Sequence, residues 1–260
     1  MFSWLRNRRR KKLLADPFPP WWEAVLKRNV GHYPRLSPDE QGRLRDATRI
    51  LVAEKNWEGV GGLFITDEIK LTVAAQAALL LLGIDHDYYL RVDSVVVYPA
   101  TFRTPNPEDD WEDDELSDTV LSGQAVYRGP VILSWDEVMA EGRDPEAGYN
   151  VVLHEFAHQL DFLDNAINGT PPLDDPALEA RWKQVMQVAF DAHRAELGRG
   201  EETFFTEHAA DDETEFFADA TEAFYCQPAN MREEYPDVYE LLKVYYRVDP
   251  LKWFPESSDG

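Results

Sequence analysis

The stretch whose reading decides the fold is Val151-Val152-Leu153-His154-Glu155-Phe156-Ala157-His158-Gln159-Leu160. Apolar residues dominate it, and Glu155 is its only acidic residue, with no Lys or Arg present. On a helix, residues four apart lie one turn above each other on the same face, so His154 and His158 can aim both imidazoles at one ion. Glu155 adjoins the first histidine, where a carboxylate can take a proton from an activated water. A carboxylate in such apolar surroundings needs a partner. Imidazole and carboxylate ligands with one open position suit zinc.

A catalytic zinc normally takes three protein ligands, and the chain offers several candidates for the third. Asp164 sits where a metzincin-like extension of the motif would place it, but Asp161 stands where that extension needs a turning glycine. A later segment, Glu213 to Glu222, embeds acids among apolar residues. Its Glu215, Asp219 and Glu222 fall at i, i+4 and i+7 on one helical face. On this reading Glu215 is the ligand and Asp219 accepts a hydrogen bond from a ligating histidine. The alternative is an amphipathic helix showing its acids to water. His32, His86 and His193 lack ligand-like spacing and read as ordinary histidines.

Working outward, Ser37-Pro38-Asp39-Glu40 opens a helix, with Ser as N-cap, Pro at N1 and Glu at N3. That helix runs to about Lys55. Thr66 opens a second, Ala/Leu-rich helix, apolar nearly all round and therefore expected in the core. Val92 and Val95 to Val97 mark a strand between Tyr88 and Tyr98. Gln124 to Trp135 reads as two short strands turned at Arg128-Gly129-Pro130, the second a possible edge for an extended peptide. Further helices are expected near Asp136, from Asn150, from Pro176 to Leu197, from Glu213 to Cys226 and from Met231 to Tyr246. Asn168 to Pro172 is a loop. The order predicts one α+β domain over residues 16–255, preceded by a flexible basic arm (1–15) and followed by a loose tail (256–260).

Across 260 residues, 49 acids against 26 Lys and Arg leave a formal charge of −23. That balance opposes general binding of nucleic acid. Eight acids lie between Glu108 and Asp118, expected as a solvated loop. The lone Cys226 excludes an internal disulfide and suits a reducing compartment. No apolar h-region follows the opening basic residues, and the apolar run ending at Leu82 is too short to span a bilayer. The expectation is a soluble, cytoplasmic protein without a membrane partner.

Several of these segments together resemble the MtfA (Mlc titration factor A) family of gluzincin-like bacterial zinc peptidases. The likeness runs from about Phe18 to Leu251. It is carried by Leu71 to Gly83 (LTVAAQAALLLLG), Val95 to Phe102 (VVVYPATF) and Gly129 to Trp135 (GPVILSW). Val151 to Asp161 (VVLHEFAHQLD), Asn168-Gly169 and Glu215 to Phe224 (EFFADATEAF) complete it. The resemblance implies a zincin-like domain, a small mixed sheet packed with helices, and a site between the two motif helices. It also implies Zn2+ on His154, His158 and Glu215, Glu155 as general base, and aminopeptidase-type hydrolysis of a peptide substrate. The family has a tyrosine seven residues before its glutamate ligand; here that position is His208, which can also donate a hydrogen bond to an oxyanion. Members of the family sequester the DNA-binding repressor Mlc, so a regulatory binding role is the alternative.

Overall fold

Ser37 starts its helix as the sequence dictates: its hydroxyl accepts from the Glu40 amide while the Glu40 carboxylate takes the Ser37 N–H at 2.8 Å. This reciprocal cap opens α3 (Pro38–Glu54), preceded by α1 (Phe2–Leu14) and α2 (Pro20–Asn29). The structure is a computed structural model and describes residues 2–100 and 129–254. After α3 come β1 (Asn56–Gly59), α4 (Asp67–Leu79), β2 (Ser94–Tyr98), β3 (Val131–Ser134) and α5 (Trp135–Arg143). Then follow α6 (Val151–Asp161), α7 (Pro176–Gly198), α8 (Glu213–Cys226), α9 (Pro228–Glu234) and α10 (Pro236–Tyr246). The acidic tract, the first strand of the expected hairpin and the tail from residue 256 lie outside the described residues.

The described strands form one sheet in the order β1-β2-β3, and both pairings are parallel rather than mixed. Register explains the strand chemistry. Val95 pairs with Val131 and Val97 with Leu133, and all four are buried on one face. β3 packs against α6, so the sheet backs the helix that carries the histidines. Beyond β2, β3 has no other strand neighbour among the described residues.

α4 and α8 are the central helices. Every residue of α4 from Ile69 to Leu79 except Lys70 is buried, as its apolar circumference predicts. α8 is buried on most of its circumference too: Phe216, Phe217 and Phe224 are fully enclosed, each worth about 1.5–3 kcal/mol of transfer free energy. α6 packs against both, which sets its histidine face towards the acidic face of α8. Single α+β domain organisation follows from this one continuous core.

Four local expectations change. The strand begins at Ser94, because Tyr88 and Tyr89 adopt positive φ of 54° and 49° and turn the chain first. Arg10 lies over the Tyr88 ring and the Tyr89 hydroxyl bonds the Ala77 carbonyl at 2.9 Å, holding that turn. β1 was not legible, since Asn-Trp-Glu-Gly lacks alternation. The last long helix divides at Pro236, which supplies no amide to continue it. The basic segment expected as a solvated arm is instead α1, docked through Arg10, whose side chain is 8% exposed. Arg10 binds Glu54 at 2.6 and 2.8 Å and Asp87 at 2.5 Å, and Arg6 also bonds Asp87. Arg49 takes the Leu13 and Asp16 carbonyls at the far end.

No described helix is long and apolar enough to cross a membrane.

Candidate metal centre

The start of α6 is fixed from three sides. The Asn150 side chain caps the Leu153 amide at 3.0 Å and donates to Gln76 of α4 at 2.8 Å. The Val151 amide reaches Glu141 of α5 at 2.6 Å, and the Asn150 amide reaches Glu222 of α8 at 2.6 Å. At the other end, buried Asp161 accepts the amides of Asn168 and Gly169 at 3.2 and 3.0 Å. Gly169 has φ +66°, and a Cβ there would lie 2.1 Å from the Glu213 carbonyl oxygen. Only glycine lets this loop close against the first residue of α8. The Asn-Gly pair thus couples the end of the histidine helix to the start of the acidic one.

Within that frame His154 Nε2 lies 3.0 Å from Glu215 Oε2 and 3.1 Å from His158 Nε2. His158 Nε2 is 3.5 Å from the same carboxylate oxygen. The residues selected by spacing therefore converge, from two helices, on one point. His154 Nδ1 donates to Glu222 Oε1 at 2.7 Å, which leaves the His154 Nε2 lone pair facing the cluster. A nitrogen lone pair opposite a carboxylate oxygen is repulsive unless a proton or cation lies between them. The other nitrogen of His158, Nδ1, is buried with no hydrogen-bond partner among the described residues. The polar contacts given for His158 there are those of Nε2, which faces His154 and Glu215, while its ring stacks on Phe162. This donor set, two imidazoles and one carboxylate, fits a borderline ion such as zinc.

The acid next to His154 differs from the expectation. Asp219 Oδ1 stands 3.5 Å from His154 Nδ1, and its other oxygen accepts the Thr206 amide at 3.2 Å and hydroxyl at 2.5 Å. Glu222 makes the short contact. The same i, i+4, i+7 stripe contained it, but one more turn of helix and a longer side chain bring it to the imidazole.

The electrostatics follow from burial and charge. Burial opposes ionisation of Glu215, yet hydrogen bonds and charge from His154 and His158 hold its carboxyl far below the usual range. Burial works against a charged His154, but Glu215 and Glu222 outweigh it and raise its affinity for a proton. Glu222 itself is pushed up by burial, only partly countered by His154. Burial likewise raises Glu141 to about 7, against the pull of the Val151 amide.

Glu155 is half-buried beside this cluster and forms no hydrogen bond or ion pair among the described residues, while its charge adds to the field on His154. His208 lies in a 3-10 turn, Nε2 3.1 Å from Glu215 Oε2, its ring stacked on His154 at 6.2 Å. Asp211 accepts from its Nδ1 at 2.6 Å, and the side chain is 59% exposed. Position 208 therefore forms the open rim of the cluster. Asp164 is exposed and bonds the Ala166 amide at 2.8 Å, away from the imidazoles. His32 and His193 bond the carbonyls of Tyr225 and Thr206 elsewhere in the core.

Comparison with known proteins places the chain in a family. The family model of the glucose-regulated metallo-peptidase M90 matches residues 4–247. A protein of Edwardsiella ictaluri named Mlc titration factor A is 31% identical over 92% of this chain and 91% of its own length. A Mlc titration factor A of Yersinia enterocolitica is 28% identical over 98% of this chain and 95% of its own. A Synechocystis protein without an assigned role is 32% identical over 94% and 89%. Two facing helices carry the histidine and glutamate pattern, and the family match spans both and nearly all the rest: the chain belongs to the glucose-regulated metallopeptidase family M90.

Proposed function

We propose that this protein is a zinc-dependent peptidase of aminopeptidase type, acting in the cytoplasm, with His154, His158 and Glu215 as metal ligands and Glu155 as general base. The observation that carries the reading is the convergence of His154 Nε2, His158 Nε2 and Glu215 Oε2 within 3.5 Å of one another. When bound, zinc supplies Lewis acidity, which acidifies water and polarises a carbonyl. Glu155 then accepts the proton of the attacking water and hands it to the departing amine. The helix around Glu155 is apolar, with Val152 and Phe156 buried. Glu222 holds His154 in the tautomer that presents Nε2. His208, on the open rim with Nδ1 held by Asp211, donates from Nε2 in its doubly protonated form to the oxyanion of the substrate, the role of the tyrosine in the family it resembles.

The test is Glu155→Gln. Metal content by elemental analysis should match the parent while hydrolysis of aminoacyl and short peptide substrates is lost. Undiminished turnover would refute the assigned base.

A second reading is favoured by a separate observation. The relatives named Mlc titration factor A and the net charge of −23 together support capture of a basic, DNA-binding repressor. Deleting residues 108–118 and comparing repressor capture with peptide hydrolysis separates the two roles. Loss of capture with hydrolysis intact supports the binding role, whereas unchanged capture removes the acidic tract from it.

A further inference from the structure

Helix α1 presents two chemically different faces. Its inner face is spent on the body of the protein: Arg6 and Arg10 are committed to Asp87 and Glu54, and Leu13 and Leu14 are half-buried. Its outer face carries Trp4 and Leu5, 63% and 55% exposed, with Arg8, Arg9, Lys11 and Lys12 exposed around them. At about 100° per residue, positions 4, 5, 8, 9, 11 and 12 occupy one broad arc opposite 6, 10 and 13. Arg8 lies over the Trp4 ring at 5.7 Å, so the cations and the indole form one patch. None of the four outer cations has a carboxylate partner within 4.0 Å among the described residues.

This patch is the reverse of the rest of the chain. Residues 2–14 hold six Lys or Arg and no acid, so the remainder carries −23 − 6 = −29. We infer that the outer face of α1 docks this protein on an anionic lipid surface. Four cations attract lipid headgroups, and an exposed Trp beside Leu is the amphipathic pair that settles at a bilayer interface. Screening beyond about 8 Å at physiological salt keeps the acidic body from cancelling so local a patch. A phosphate backbone would satisfy the cations equally but gives Leu5 nothing to enter. With 13 residues, α1 is too short to span and lies along the surface. The inner arginine contacts hold the helix ready, so docking needs no new folding. This inference does not depend on the metal chemistry.

The experiment is co-sedimentation of the full chain with vesicles of phosphatidylcholine alone and with phosphatidylserine added. Binding is expected only to the anionic vesicles, and release when ionic strength rises from about 0.1 to 1 M, where the screening length falls to about 3 Å. Charge reversal of Arg8, Arg9, Lys11 and Lys12 to Glu should abolish binding, and Trp4→Ala should weaken it with all charges intact. Circular dichroism and peptide hydrolysis should be unchanged in both variants, because the arginines that dock α1 remain. Absence of binding to either vesicle, or equal binding by the charge-reversed variant, overturns the inference. So does tighter capture of an oligonucleotide duplex that is indifferent to Trp4→Ala, which would assign the patch to nucleic acid.

Discussion

Two regions of this molecule bury charge, and they do so in opposite ways. Where α1 meets α3, a nearly enclosed Arg10 faces the carboxylates of Glu54 and Asp87, and both forks of its guanidinium are used. Between α6 and α8, Glu215, Asp219 and Glu222 crowd two imidazoles, and His158 Nδ1 has no hydrogen-bond partner among the described residues. In the first arrangement every guanidinium nitrogen of Arg10 has a carboxylate, although Arg6 Nε beside it is buried without a hydrogen-bond partner among the described residues. The second sets three carboxylates against two imidazoles, a donor set that could hold a cation. A matched charge cluster acts as structural glue, whereas the unmatched one is the candidate metal site. That contrast is testable from either side.

The largest effect should come from Glu155, which belongs to neither balance. Glu155→Gln should cost about 10²- to 10⁴-fold in peptide hydrolysis, with metal content and melting temperature preserved. Next, Glu215→Ala should empty the centre. Elemental analysis should find little zinc, and a chelator, expected to lower the melting temperature of the parent, should leave that of the variant unchanged. Asp164→Ala, by contrast, should retain metal; the opposite pattern would move the third ligand to Asp164. Glu222→Gln should weaken zinc about 10- to 100-fold, since it disturbs the hydrogen bond that orients His154, beside the one that the same carboxylate accepts from the Asn150 amide. Asp219→Asn should do less, because that carboxylate is occupied mainly by Thr206.

On the matched side, Arg10→Ala should destabilise by about 1–3 kcal/mol through the orphaned Glu54 and Asp87, read in urea unfolding, and leave zinc untouched. Any loss of metal in that variant would erase the distinction drawn between the regions. The smallest effect concerns pH. Glu141 is raised from 4.5 to about 7 by burial, so its neutral form is the one the fold prefers. The stability it contributes is complete below pH 4.5 and is lost as pH rises through 7. Glu141→Gln should therefore equal the parent in thermal unfolding at low pH and gain on it progressively between those values. A constant difference at all pH values would mean that Glu141 does not titrate in this window.

Local signals made much of the architecture legible. Ser37 and Thr66 cap the helices that they were expected to cap, through their own hydroxyls. The four-residue spacing of His154 and His158 needs only helical periodicity, which is a local property. The apolar circumference of α4 announced its burial. What failed did so for non-local reasons. β1 becomes a strand because β2 offers it a parallel partner, which nothing in Asn56 to Gly59 encodes. The docking of α1 needed Asp87 and Glu54, distant in sequence, to turn a basic segment inward.

By itself, the sequence determined that one helix sets His154 and His158 a turn apart, that an acidic helix follows it and that Glu215 lies on a face with Asp219 and Glu222. Only the tertiary structure decided which acid reaches His154, that His208 stands at the rim, and that Asp164 is turned away. The reason is physical. Periodicity fixes which side chains share a face, but the distance between two faces depends on packing. Here Asp161, Gly169 and the buried aromatic residues of α8 set that distance.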